Sequence, residues 1–492
     1  MKIVLISTYE LGRQPFGLAS PTAWLRSDGA EVTCFDLSRE QLAENVVREA
    51  DAVAFYVPMH TATRLAVALL PRIREINPRA HLCFYGLYAP VNETYLRGLG
   101  VQTILGGEFE EGLASLARRL GNGGKSAARR IGEYRDGQIE PVISLSRQKF
   151  MVPDRSRMVA LEKYARLTMP EGRTRTVGYT EASRGCKHLC RHCPIVPVYG
   201  GVFRVVDRDV VIEDIRQQVA AGAQHITFGD PDFFNGTGHA MRIVEELHLE
   251  FSALSYDVTI KIEHLLKHRE YLPKLRDTGC LFVTSAVESA DDAVLEKLDK
   301  HHTRADFLKA VEWCREIGLA LQPTFVPFTP WTTLGNYREL LALLRENELI
   351  GHVAPIQLAI RLLIPAGSRL LELAEVRGLT GPFDEAALAY RWSHADARVD
   401  ELCEQIQGIV NSGDKMKRTR AQIFEQIEDA ASAAAGVRSD RRAASGGLAI
   451  LQASAAIPYM NEPWYCCAEP TGDQLASIAG VRARAGEADA FV

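Results

Sequence analysis

The 492-residue chain has no run of about 18 uninterrupted apolar residues, so no membrane-spanning helix is predicted. Residues 1–7 run straight into a strand pattern without a signal-peptide cleavage site, and a soluble, cytoplasmic protein is expected. A charge excess is also lacking. With 57 Lys+Arg against 62 Asp+Glu the formal net charge is -5, which implies no polyanion partner and does not favour nucleic acid. Ten cysteines spread over this length are not a disulfide framework. Cys34, Cys83, Cys280, Cys314 and Cys403 lie in apolar surroundings and read as core residues. A second Cys/His knuckle, needed to close a structural zinc site, is missing at the expected distance.

What is present is the stretch Arg184-Gly185-Cys186-Lys187-His188-Leu189-Cys190-Arg191-His192-Cys193-Pro194. Cys186, Cys190 and Cys193 stand at the spacing Cys-x3-Cys-x2-Cys in a short loop, so three sulfurs can converge on one metal centre. Three clustered thiolates suit a 4Fe-4S cluster with one open iron, while a zinc site recruiting His188 or His192 is the alternative. The loop resembles the signature of the radical S-adenosylmethionine (SAM) superfamily. That resemblance implies SAM chelating the open iron through its amino and carboxylate groups, and its reductive cleavage.

The length predicts about two to four domains. Residues 1–120 alternate strand and helix patterns, with strands expected at 2–7, 31–37, 51–57, 80–85 and 101–105. Such βα units make a doubly wound, Rossmann-like parallel sheet whose ligands bind beyond the strands' carboxyl ends, where Gly86, Gly106 and Gly107 fall. In layout this domain resembles the cobalamin-binding domain of many radical SAM enzymes. Cobalamin is therefore a candidate ligand, with those glycines facing it, although the Asp-x-His-x-x-Gly motif is absent: the first strand is followed by Thr8-Tyr9-Glu10-Leu11-Gly12. Residues 121–172 read as a linker, partly helical over 148–167.

Over 173–370 the alternation resumes as a partial (β/α)6 barrel open on one side, with strands expected at 177–180, 224–228, 258–262, 281–289, 319–325 and 356–363. Gly229-Asp230-Pro231-Asp232 resembles the superfamily segment that holds the SAM amino group, and an ammonium needs an anionic or carbonyl acceptor there. Glu288 ends a strand that resembles the family's Glu-Ser strand and is expected to face SAM. His192 occupies the position where the family has an aromatic residue on adenine. Arg361, alone in an apolar strand, is expected either to be paired within the barrel or to contact ligand.

Residues 371–492 are expected to form a mostly helical extension ending in Trp464-Tyr465-Cys466-Cys467-Ala468-Glu469-Pro470. This tail resembles that of a group of cobalamin-domain radical SAM proteins named for Cys-Cys-Ala-Glu-Pro. The resemblance implies soft-nucleophile chemistry at Cys466 and Cys467, and transfer of the 3-amino-3-carboxypropyl group of SAM to trivalent arsenic. Expected partners are a small-molecule acceptor, with arsenite foremost, and an electron donor such as flavodoxin or ferredoxin. Two alternatives stand beside it: cobalamin-dependent methylation of a small natural-product precursor, and an iron-sulfur electron carrier or redox sensor using the Cys466/Cys467 pair as its switch.

Overall fold

The computed structural model describes residues 1–121, 138–437 and 455–462. Its N-terminal part is a parallel sheet in which β1 (Lys2–Ser7), β2 (Glu31–Asp36), β3 (Ala52–Tyr56), β4 (His81–Tyr85) and β5 (Thr103–Gly107) stand in the order β2-β1-β3-β4-β5, with β6 (Ile143–Ser144) beside β5. The strands are short apolar runs because both faces are covered. Val4 and Ile6 of β1 pack with Ala66, Leu69 and Ile73 of the helix His60–Ile76, while Ile3 and Leu5 pack with Leu113 and Leu116 of the helix Glu110–Gly121. The order reverses at β1, which pairs with β2 on one side and β3 on the other. In such sheets the crevice for ligands opens at that switch point.

Residues 138–172 are threaded between the two halves. The Gln138 amide bonds the backbone N–H and carbonyl of Ile104, Glu140 pairs with Arg119 at 3.0 Å, and Arg155 joins Gln14 of the first part to Asp214 of the second. In place of the helix expected over 148–167 there is only the 3-10 turn Leu161–Lys163.

The second half is a curled, seven-stranded sheet. β7 (Arg166–Thr168) runs antiparallel to β8 (Thr174–Thr180), which is followed by the short ribbon β9 (Ser183–Gly185) and β10 (Phe203–Val205). The parallel strands β11 (His225–Phe228), β12 (Ser255–Thr259), β13 (Cys280–Glu288) and β14 (Ala320–Phe325) follow, alternating with helices. After the antiparallel hairpin β15 (Thr380–Asp384) and β16 (Ala389–Trp392) and two long helices, β17 (Tyr459–Met460) completes the order β14-β13-β12-β11-β8-β7-β17. The helices Ala397–Lys415 and Arg420–Ala434 bury Leu402, Ile406, Phe424 and Ile427 in the barrel's own core cluster.

The α/β architecture expected from the sequence is therefore present, with two local departures. The strand expected at 258–262 begins and ends earlier, and Glu263 and His264 fall in the helix Ile262–Lys267 instead of at a strand end. The sixth strand is reduced to one parallel bridge between Phe328 and Arg361, preceded by the 3-10 turn Pro355–Leu358. Pro355 removes a ladder donor, and the Phe325 backbone N–H donates to the Gln357 side-chain oxygen at 3.2 Å where a strand carbonyl would have accepted. Among the described residues no helix is long and apolar enough to cross a membrane.

Candidate functional site

One cavity of about 430 Å³ lies between the carboxyl ends of the two sheets. From the N-terminal part it takes Glu10, Leu11, Pro58, Met59, Leu87 and Tyr88; from the barrel rim it takes the cysteine loop, Gly229, Asp230, Lys261, Glu288 and Lys300. Glu10–Leu11 follow β1 and Pro58–Met59 follow β3, so the cavity opens on the topological switch point.

The cysteine loop leaves β9 at Gly185, whose φ of 72° is left-handed and whose missing Cβ makes room for the Tyr199 ring. Asn235 then fastens the loop, accepting from the Lys187 backbone N–H at 3.3 Å and donating to the Gly185 carbonyl at 3.4 Å. On its far side the Arg191 N–H donates to the Leu298 carbonyl at 3.0 Å, and Arg369 donates to the Leu189 carbonyl at 2.6 Å. Cys186 and Cys190 are buried and Cys193 is half-buried, all three facing the cavity. Burial pushes the Cys186 thiol up to about 11, so ionisation there requires a positive partner. The Lys261 ammonium stands 3.7 Å from the Cys190 sulfur, and buried Lys300 keeps its proton because Glu288, Cys190 and Cys193 outweigh its desolvation. Among the described residues the set whose three ligand atoms lie within 4.8 Å of one another is His188, Asp232 and His264, not the cysteines. Three thiols on a fastened, cation-flanked loop fit a multi-iron cluster with an open position.

Beside the cysteine loop, Glu288 is placed by a bulge where the register of β13 on β14 shifts, and its φ is 70°. Its Oε1 accepts from His192 Nε2 at 3.0 Å and Lys300 Nζ at 3.4 Å. Burial opposes ionisation of Glu288, but Lys300 and His192 overcome it and hold the carboxyl at about 2. His192 Nδ1 is buried without a hydrogen-bond partner on the cavity wall, a polar atom available to a ligand. Gly229 lets the Tyr179 phenol pack over the strand end.

Five predicted residues, Asp230, Asp232, Arg361, Gly86 and Gly106, find their neighbours within the protein itself. Asp230 lines the cavity but spends its carboxylate on the corner before the cysteine loop, accepting from the Ala182 N–H at 2.9 Å and the Ser183 hydroxyl at 2.5 Å. Burial raises its pKa to about 7 against those hydrogen bonds. Asp232 does not line the cavity; its Oδ1 accepts from the Phe234 N–H and its Oδ2 faces His188 and His264. Arg361 is outside the cavity: it pairs with Asp400 at 2.6 Å, donates to the Trp392 carbonyl and lies 3.7 Å from the centroid of that indole. Of the three N-terminal glycines only Gly107 reaches the wall, with φ 69° and the Ser144 carbonyl where a Cβ would stand; Gly86 backs onto Tyr56, and Gly106 onto Pro90.

Sequence reasoning missed the clamp between the two halves. Buried Arg184 meets Glu110 at 2.6 Å, Glu181 at 2.7 Å and Glu108 at 3.4 Å, and packs against the rings of Phe16, Phe109 and Phe150. Glu108 rises to about 7 because burial outweighs the attraction of Arg184. The signal available was an arginine directly before the Gly-Cys start of the loop and the Glu-Phe-Glu that follows Gly106-Gly107. Lys261 and Lys300 left no comparable mark. Cys466 and Cys467 lie outside the described residues, while Tyr459, Met460 and Glu462, just upstream, line the cavity.

With this geometry in place, residues 180–335 match the profile of the radical SAM superfamily. The hopanoid C-3 methylase of Methylococcus capsulatus is 26% identical over 151 residues, 31% of this chain and 29% of that protein. Among solved structures, the cobalamin-dependent SAM radical enzyme OxsB, with aqua-cobalamin and SAM bound, superposes with a TM-score of 0.65 at 14% identity, covering 84% of this chain and 67% of OxsB. The radical SAM methyltransferase TsrM of Kitasatospora setae, with tryptophan and a SAM analogue bound, gives 0.59 at 17% identity and 76% of each chain. The structural likenesses carry the fold, and the chain spans 29% to 53% of the length of the curated relatives it matches. Over residues 180–335 the protein thus carries a radical SAM domain.

Proposed function

We propose that the protein is a cobalamin-dependent radical SAM methyltransferase acting on a small-molecule acceptor, with Cys186, Cys190 and Cys193 holding the cluster. The observation that carries this reading is the single cavity that joins the cysteine loop to the switch point of the N-terminal sheet. When bound, the cluster and SAM supply a carbon radical and cobalamin supplies a methyl carrier. The chain's own residues then divide the work. Lys261 and Lys300 neutralise the thiolates, and the anionic Glu288 orients His192 so that Nδ1 meets the ligand. Gly229 and the backbone beside it receive the SAM ammonium. Leu11, Pro58, Met59, Leu87 and Tyr88 offer an apolar wall for a flat macrocycle and exclude water from the reacting centre. A small carrier such as flavodoxin or ferredoxin supplies the electrons.

One observation favours a second reading. Tyr459, Met460 and Glu462 line the cavity, with Glu462 paired to Arg39 at 2.8 Å, and Cys466 follows Glu462 by four residues. This supports Cys466 and Cys467 as thiolates for a thiophilic acceptor such as arsenite. Anaerobic turnover with SAM, reductant and hydroxocobalamin, with and without arsenite, separates the readings. Cobalamin-dependent S-adenosylhomocysteine is expected for methylation; methylthioadenosine that rises with arsenite would replace that reading with aminocarboxypropyl transfer.

A further inference from the structure

We propose that His188, Asp232 and His264 form a mononuclear site for a divalent transition-metal ion of the zinc or ferrous class, separate from the cluster cysteines. The three side chains come from different elements: His188 from the cysteine loop, Asp232 from the turn after β11, and His264 from the helix after β12. Asp232 and His264 are fully buried and the His188 side chain is 9% exposed. Asp232 Oδ2 lies 2.6 Å from His264 Nδ1 and 3.3 Å from His188 Nε2. Despite this proximity, none of the three atoms has a hydrogen-bond partner of acceptable geometry. They crowd one point without being aligned as donor and acceptor, which is the arrangement that ligands of a shared cation adopt. Three buried polar atoms left so would carry a desolvation cost that an ion removes.

The surrounding contacts fit the same purpose. Asp232 Oδ1 is pinned by the Phe234 N–H at 3.1 Å, which leaves Oδ2 as the free oxygen. The other nitrogen of His188, Nδ1, faces Glu263 Oε2 at 3.5 Å, the carboxylate-to-histidine contact that orients metal-bound imidazoles. Two imidazoles and one carboxylate select zinc or ferrous iron over calcium or magnesium, which prefer oxygen. The ion would tie the Cys186–Cys190 span to two other rim elements and so hold the cluster loop in shape. None of this depends on the methyltransferase reading.

The test uses full-length protein with Cys186, Cys190 and Cys193 replaced by serine, stripped of metal and titrated with Zn²⁺ and Co²⁺. Binding of one equivalent is expected, with a rise in Tm and a Co²⁺ visible spectrum free of thiolate charge-transfer bands. In the same background, His264→Ala should abolish binding and Glu263→Gln should weaken it about 10- to 100-fold. Absence of binding, a thiolate band, or affinity unchanged by His264→Ala would overturn the assignment. Should the serine variant fail to fold, the anaerobically purified wild-type holoprotein decides. Stoichiometric zinc, or iron beyond the cluster's own, that is lost in His264→Ala supports the site; absence of both metals, or their retention in that variant, overturns it.

Discussion

The two walls of the cavity are built on opposite principles. The barrel wall is a lattice of buried charge in which Glu288 is satisfied by His192 and Lys300, and Lys261 stands beside the Cys190 sulfur. The N-terminal wall offers Leu11, Pro58, Met59, Leu87, Tyr88 and Phe109, with Glu10 its one buried acid, raised well above the usual carboxylate range by burial and by Glu181. A cluster and a zwitterionic cofactor need the first kind of wall, while a large macrocycle is served by the second. Between them Arg184 pairs with two glutamates of the N-terminal part and one of the barrel, and Ser20, Gln148 and Tyr199 donate to the first two. The seam is therefore electrostatic where the walls meet, and the cavity is charged on its barrel side and apolar on its N-terminal side.

This contrast can be broken from either side. The largest effect is expected from Cys186→Ser, which should abolish the iron-sulfur absorbance and SAM cleavage together while leaving cobalamin binding intact, measured on anaerobically reconstituted protein. Next comes Arg184→Ala, which strands Glu108, Glu110 and Glu181 in the interior and should cost about 3–5 kcal/mol in denaturant unfolding.

Asp230→Asn should act through pH. The wild-type carboxyl has a folded pKa of about 7, raised by burial above the ordinary 3.8, so the folded state binds its proton more tightly than the unfolded state. Stability from this group is full below about pH 4 and is lost as pH rises toward 7. The asparagine variant should therefore gain on the wild type across that window in urea titrations at stepped pH; a difference independent of pH would refute the assignment. The smallest effect belongs to Arg361→Met, whose half-exposed pair with Asp400 should be worth at most about 1 kcal/mol, with SAM affinity unchanged.

The five N-terminal strands and the cysteine loop were legible in sequence because apolar periodicity and ligand spacing are local properties. What was not legible depends on partners distant in the chain. Arg361 reads as a possible ligand contact until Asp400 and Trp392 are seen beside it, and Asp230 until its oxygens are found on Ala182 and Ser183. The sixth strand looked continuous because its composition is apolar, but the Gln357 side chain substitutes for the ladder that composition implied. The strand expected at 258–262 is displaced by the helix Ile262–Lys267, whose His264 meets His188 and Asp232 only in the folded rim.

The central claim is that one cavity serves two cofactors, the cluster with SAM on the barrel wall and cobalamin on the N-terminal wall. The most direct test is the cobalt content of anaerobically reconstituted, desalted protein, compared between wild type and Met59→Arg with iron-sulfur content followed in parallel. The account predicts stoichiometric cobalt in the wild type, lost in Met59→Arg while the cluster remains. A wild-type protein that retains its cluster and cleaves SAM but takes up no cobalt would contradict it.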